Sequence, residues 1–247
     1  AHFACAELGD ARRYPCFTVG SADLAGLASE GFAEDHPYAE LMARRLGAPL
    51  HDAVLRGSAL ADLDAMVWTL DEPTADVAAF TAHAVCREAR ERGVKVLLSG
   101  SGGDDLFTGY RRHAALQAER YWAWAPRPLR ALMRRSTQGL SARSPLGRRL
   151  GKLFRYADAE PAERLASYFL WISQDTLAPA LSPALRESLG THRPVDLLLR
   201  SLERLPEGVS RLNQMLHLDR SHFLADHNLN YTDKMAMACG VEVRLPF

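Results

Sequence analysis

The chain has 247 residues, with 30 basic against 30 acidic side chains, 47% hydrophobic content and 24% charged content. That balance suits a soluble globular protein with a sizeable core, and a net charge of zero gives no electrostatic argument for an acidic partner. No apolar run reaches the ~18 residues of a membrane span, and no secretory leader pattern is visible. Cys5, Cys16, Cys86 and Cys239 are scattered, without CxxC or zinc-like spacing; reduced structural thiols in a cytoplasmic protein are expected. The opening AHFACAEL reads as the middle of a helix without a cap, and the closing RLPF stops without turn chemistry, so a piece of something longer is expected.

Residues 15–20, PCFTVG, predict a buried strand ending in glycine. A helix is predicted over 35–47, with Asp35 as its cap, Pro37 in its first turn and Gly47 at its end. Tyr38, Leu41, Met42 and Leu46 share its apolar face. Residues 50–55, LHDAVL, read as a second strand, and Leu60, Leu63, Val67 and Leu70 then recur at helical spacing. A further helix runs from about Asp76 to Arg92 and stops at Gly93. Residues 94–99, VKVLLS, form the clearest buried strand and lead straight into GSGGDD. Strands alternating with helices predict an α/β fold, a parallel sheet with helices on both faces. Ligands of such sheets lie beyond the carboxyl ends of the strands, which directs attention to Val19-Gly20 and to the run starting at Ser99.

Beyond Tyr110 no strand is predicted until about Glu242; a mostly helical layer is expected, anchored by Tyr121, Trp122 and Trp124. Residues 1–113 are therefore read as the α/β part and 114–247 as the helical part. The segment Pro126–Arg155 has no acid but eight arginines and one lysine, and its prolines, glycines and serines predict a partly irregular, exposed excursion. Such a basic patch would suit a nucleic-acid backbone, but it lacks the regular aromatic interleaving of base-stacking surfaces. His217, His222 and His227 recur every five residues and do not share a helical face, so a metal trio is not expected. His83 and Cys86 are read as a core-edge pair, since two ligands do not make a zinc site.

Ser99-Gly100-Ser101-Gly102-Gly103-Asp104-Asp105 follows a strand and precedes a predicted helix. Glycines there let the backbone approach a ligand, and free N–H groups attract phosphate oxygens. Asp104 and Asp105 would repel phosphate unless a hard cation such as Mg²⁺ lay between. The run lacks the Lys-Ser/Thr pair of a P-loop, and Asp105 stands where a dinucleotide fingerprint needs its third glycine. A plain strand-to-helix turn, with acids favouring the helix dipole, remains the alternative.

The chain ends in DRSHFLADHNLNYTDKMAMACGVEVRLPF. This segment closely resembles the asparagine synthetase family, whose synthetase domain carries a pattern of the form DxxxFLxDxxLxxxDKxxMAxxxExRxPF. KVLLSGSGGDDLFTGYRRH over 95–113, and Asp71-Glu72-Pro73 followed by Asp76, resemble the same family in the same order. The resemblance implies a Rossmann-like domain of the ATP pyrophosphatase type. Its five-stranded parallel sheet would include a first strand and SGGxDS phosphate loop that precede Ala1, and a glutaminase domain would lie outside this chain. It implies ATP and Mg²⁺ as cofactors, a side-chain carboxylate such as aspartate as substrate, and ammonia drawn from glutamine by the glutaminase domain.

By motif position the resemblance makes Lys234 the lysine that neutralises the phosphates, and Asp104 the Mg²⁺ ligand. Ser99, Gly100, Ser101 and Gly102 would hold the nucleotide, Val19 and Gly20 would meet adenine, and Gly103 and Asp105 would face the carboxylate substrate. Glu242 and Arg244 are expected to pair and steady the lysine's loop. Position 101, often acidic in asparagine synthetases and tyrosine in the β-lactam-forming relatives, is serine here, a poor general base. That departure leaves open a paralogue that activates another carboxylate, or a nucleotide-binding module without turnover. No membrane or nucleic-acid partner is expected, and a homodimer stays open.

Overall fold

The computed structural model describes residues 5–7, 9–10, 13–19, 36–53, 63–72, 74, 76–140 and 144–246. The chain divides into two compact units, one comprising residues 1–102 with 226–247, the other residues 103–225. These cuts differ from a boundary at 113/114, because the chain returns at Asp226 to the unit that carries the strands.

In the first unit, β1 (Cys16–Val19) and β2 (Leu50–Ala53) pair in parallel, with Val19 opposite Ala53. Between them in sequence lies α1 (His36–Leu46), which packs on both strands. Farther along come α2 (Leu63–Leu70), α3 (Ala78–Glu91) and β3 (Val96–Leu98). A second parallel pair joins β3 to β4 (Glu242–Arg244), with Leu97 opposite Val243. The described strands thus form two separate two-stranded sheets. The α/β class and the parallel pairing agree with the sequence reading.

Helix α3 shows why its ends fall where they do. Asp76 Oδ1 accepts the Ala78 N–H at 2.9 Å. At the other end Gly93 turns to φ +80°, and Val94 donates back to Ala89 O at 3.0 Å. Only glycine takes that left-handed turn without strain.

The C-terminal helix of this unit, Asn230–Ala238, packs on α2, α3 and β4, and α3 also covers β1 and β2. Its buried contacts use small or flexible residues: Met66, Leu70, Ala79 and Met235 in one cluster, Cys86, Ala236 and Val241 in another. Alanines at these crossings let helix backbones approach closely.

Two expectations fail here. Tyr38, Leu41 and Met42 of α1 are exposed, and Ala43 is the helix's buried residue. The periodicity was real, but α1 rests on the strands by its small side. In β3, Val96 and Leu98 are exposed and only Leu97 turns toward the Cys86–Ala236–Val241 cluster; paired on one edge and covered on one face, β3 is half-buried.

The second unit is helical, and no strand occurs among its described residues. It begins with α4 (Gly103–Phe107), α5 (Arg111–Ala118) and a 3₁₀ turn at Glu119–Tyr121. The basic segment follows as α6 (Arg127–Gln138) and α7 (Pro145–Phe154), packed against each other. Next come α8 (Pro161–Ser167), α9 (Gln174–Leu177), α10 (Pro183–Leu189), α11 (Asp196–Glu203) and α12 (Arg211–Leu218). Leu116, Leu165, Ala166, Val195, Leu198, Met215 and Leu218 form its core.

The arginine-rich stretch is therefore not an irregular excursion. Pro145 starts α7 behind the capping Ser144, whose hydroxyl accepts the Gly147 N–H. Arg130 donates to the carbonyls of Ala125 and Ala157, and Arg134 pairs with Asp158 at 2.8 Å. Of the expected aromatic anchors only Trp122 is buried, edge-on to Phe154 at 5.2 Å; Tyr121 and Trp124 are exposed.

Candidate functional site

The glycine-acid turn begins as an extension of strand pairing. Ser99 N–H donates to Arg244 O at 2.9 Å, one step beyond the β3–β4 register. The Ser99 hydroxyl accepts the Ser101 N–H at 3.1 Å and shares a 2.8 Å hydrogen bond with the Ser101 hydroxyl. Both serines thus shape the turn. Gly102 bends it at φ +89°, and none of the described residues lies within 4 Å of where a Cβ on Gly100 would stand, so that backbone is open on that side.

The cut between the units falls after Gly102, and Gly103 opens α4. The two aspartates of α4 have opposite environments. Asp105 is fully buried and accepts the Tyr110 hydroxyl at 3.0 Å. Asp104 is exposed, and its carboxylate lies directly over Gly109: a Cβ on that glycine would stand 1.8 Å from Asp104 Oδ1.

Lys234 sits on the C-terminal helix of the first unit. Its ammonium donates to Leu70 O at 2.6 Å and lies 3.3 Å from Asp71 Oδ2. Leu70 ends α2, so the cation meets the negative end of a helix dipole. Asp71 takes φ +61°, uncommon for a residue with a side chain.

Two further contacts run along the same stretch of helix. Asn230 donates to Glu72 at 3.1 Å, and His227 Nε2 lies 2.7 Å from Asp76 Oδ2. Asp71, Glu72 and Asp76 are thereby each fastened to residues 227–234; Pro73 lies outside the described residues. Burial alone would raise the Asp76 carboxyl pKa. Hydrogen bonds from His227 and the Ala78 N–H, with the imidazole charge, outweigh it and hold the group below the usual aspartate range.

Val19 closes β1 opposite Ala53, while Gly20 lies outside the described residues. Arg244 donates to both carboxylate oxygens of Glu242, at 2.8 and 3.1 Å. The pair exists, but both side chains are more than half exposed and bond to each other, not to the lysine's helix. Burial, with a smaller effect from Cys239 nearby, pushes the Cys86 thiol up to about 11, which disfavours a thiolate nucleophile. His217 meets Ser201 and His227 meets Asp76.

The family model described as asparagine synthase matches residues 3–247. The chain belongs to the asparagine synthase family. A putative asparagine synthetase [glutamine-hydrolyzing] of Mycobacterium tuberculosis, and its counterpart in Mycobacterium bovis, are each 33% identical over 223 residues, 90% of this chain and 32% of the relative. Asparagine synthetase [glutamine-hydrolyzing] 1 of Bacillus subtilis is 25% identical over 226 residues, 90% of this chain and 34% of that protein. The chain spans about a third of the length of these relatives.

Members of the asparagine synthase family use ATP, and the described residues fit Mg²⁺ with it. Among them no group of three or more His, Cys, Asp and Glu side chains could hold a metal. Mg²⁺ needs no such cage, because one or two carboxylates and phosphate oxygens suffice. Asp104 supplies one exposed carboxylate. No helix among the described residues is long and apolar enough to cross a membrane.

The sequence reading did not assign roles to Gly109, His113 or Asp219, although all three stand inside the segments that carry the family resemblance. The signal that could have found Gly109 was a glycine five positions after an acid it must accommodate.

Proposed function

We propose that this chain is the ATP-using part of a glutamine-hydrolysing asparagine synthetase, acting on aspartate with ATP, Mg²⁺ and ammonia released from glutamine by a glutaminase domain. Its two parallel strand pairs belong to one Rossmann-like sheet of the ATP pyrophosphatase type. The parallel sense of both pairs and the packing of α3 between the first pair and the C-terminal helix support that arrangement. An aspartate side-chain oxygen attacks the α-phosphorus of ATP, pyrophosphate leaves, ammonia attacks the acyl carbon, and AMP departs with asparagine formed.

The observation that carries the reading is the Ser99–Gly102 turn: a self-bonded serine pair and an open glycine backbone at the end of a parallel strand. Gly100 and Gly102 admit phosphate oxygens to backbone N–H groups. Asp104 holds Mg²⁺, which supplies charge neutralisation for the phosphate oxygens. Val19 and Gly20 border adenine, and Gly103 and Asp105 shape the aspartate pocket. Lys234 neutralises phosphate; an ammonium can donate further bonds beyond those to Leu70 and Asp71.

In the full-length protein, aspartate-dependent pyrophosphate release is expected, with asparagine formed when glutamine is present. Asp104→Asn and Lys234→Ala are each expected to lower kcat by about 10²–10³. Unchanged turnover in Lys234→Ala would show that the lysine only fastens the 70–76 segment. Ser101 favours a second reading, a paralogue that activates another carboxylate, since its hydroxyl is engaged with Ser99 and is a poor base. Pyrophosphate release with a different carboxylic acid, and none with aspartate, would establish that reading over the first.

A further inference from the structure

The loop between α4 and α5 is fastened to a buried carboxylate far along the chain. Asp219 is fully buried at the start of a π-helical stretch, Asp219–Leu229. Arg112 Nε donates to its Oδ1 at 2.8 Å, with Arg112 Nη2 on the same oxygen. His113 Nε2 lies 2.8 Å from its Oδ2. The guanidinium of Arg112 also lies over the ring of Tyr110 at 4.0 Å and over that of Phe223 at 4.1 Å, two rings set edge to face. A desolvated carboxylate tolerates no loose geometry, so this cluster is a rigid anchor.

His113 passes that rigidity on. Its Nδ1 accepts the Gly109 N–H at 3.0 Å. A nitrogen that accepts carries no proton, so the ring proton sits on Nε2 and is donated to Asp219. The bond to Asp219 thereby selects the one tautomer able to hold the Gly109 amide. Just ahead, Thr108 takes φ +70°, a left-handed turn that a β-branched residue adopts only when its surroundings force it. On the far side the Tyr110 hydroxyl ties the loop to buried Asp105 at 3.0 Å.

Gly109 is held by these contacts beneath the Asp104 side chain. A Cβ there would stand 1.8 Å from Asp104 Oδ1 and 2.5 Å from Cγ, far inside any contact a real Cβ makes. The carboxylate therefore rests on bare backbone, and any side chain at position 109 would drive it off. We propose that Gly109, held by His113 and Asp219, positions the Asp104 carboxylate for metal binding. Gly109, His113 and Asp219 are positioning residues that touch no substrate. The inference rests on the reading of Asp104 as the Mg²⁺ ligand; Mg²⁺ demands near-octahedral oxygen geometry and punishes a misplaced ligand.

The test is Mn²⁺ binding to the full-length protein, followed by electron paramagnetic resonance in the presence of α,β-methylene ATP, with thermal denaturation in parallel. Asp104→Asn is expected to weaken Mn²⁺ binding about 10–100-fold, and Gly109→Ala by at least about tenfold with the fold retained. The double variant is expected to bind no more weakly than Asp104→Asn alone, because the glycine acts only through that carboxylate. His113→Asn keeps an acceptor for the Gly109 amide and is expected to hold Mn²⁺ better than His113→Gln, which reaches toward Asp219 but leaves that amide unbonded.

Wild-type Mn²⁺ affinity in Asp104→Asn would overturn the metal-ligand reading itself. With that reading standing, wild-type affinity in Gly109→Ala would overturn the positioning role. So would a further loss in the double variant beyond Asp104→Asn. If Gly109→Ala does not fold, equal affinity of the two His113 variants overturns the proposal and the expected order between them upholds it.

Discussion

In the helical unit, Glu119 and Asp219 are withdrawn from water and each is met by several donors, whereas the ionic groups around Lys234 in the strand-bearing unit stay wet. The side chain of Asp219 has no exposed surface and that of Glu119 is 8% exposed, against 33% for Lys234 and 83% for its partner Asp71. A buried ion pair survives only when its geometry is nearly complete, so it fixes backbone in place. A solvated pair contributes little to stability, and its members can exchange one partner for another at low cost. The helical unit therefore supplies fixed positions, among them the loop beneath Asp104. The strand-bearing unit keeps its contacts around Lys234 in solvent.

The contrast can be tested with the largest expected effect at Glu119. Arg164, Arg211 and the Tyr168 hydroxyl all converge on its carboxylate, at 3.0, 3.1 and 3.0 Å. Burial, then the Glu119 charge, pushes the Tyr168 phenol above its ordinary range, which favours its role as a donor to Glu119. Glu119→Ala leaves Arg164 buried without its counter-charge and should cost about 3–5 kcal/mol, read as a lowered urea midpoint. A loss below about 1 kcal/mol would mean the cluster is solvated, and the contrast between the units would fail there.

Helix ends in the strand-bearing unit were legible because they are local chemistry: Gly47 and Gly93 stop α1 and α3 at positive φ. The turn at Ser99 was legible as a glycine-acid run after a strand. The orientation of α1 was not, since periodicity says which residues share a face and not which face meets a neighbour. Nor was the helicity of the arginine-rich segment, in which Arg130 meets carbonyls and Arg134 meets Asp158. Contacts distant in sequence were the least readable. His113 and Asp219 stand 106 positions apart, and Lys234 reaches Leu70 across 164. No local pattern announces that a motif lysine is engaged by the end of a helix.

A smaller effect is expected at Asp76, which lies between the two extremes with its side chain 18% exposed. Asp76→Asn should cost roughly 1–3 kcal/mol near neutral pH, the range for hydrogen bonds to charged groups. The folded-state pKa is depressed, so this contribution is complete above the unfolded value of about 3.9 and disappears as pH falls through the lower folded value. Wild type and variant should converge in acid. Equal separation of their denaturation midpoints at every pH would show that the aspartate acts through packing, not charge.

The least effect is expected at the bidentate pair on β4, although two hydrogen bonds join its members. Its hydrogen bond lowers the Glu242 pKa and raises that of Arg244, so each group favours the other's charged form. Both heads nonetheless lie in solvent, where water offers comparable partners and salt screens the attraction. Arg244→Ala keeps the carbonyl that accepts from Ser99, since that atom belongs to the backbone. Its denaturation midpoint should therefore stay with that of the wild type. A clear fall would mean that the guanidinium does something beyond the pair, and would move β4 from the wet class to the fixed one.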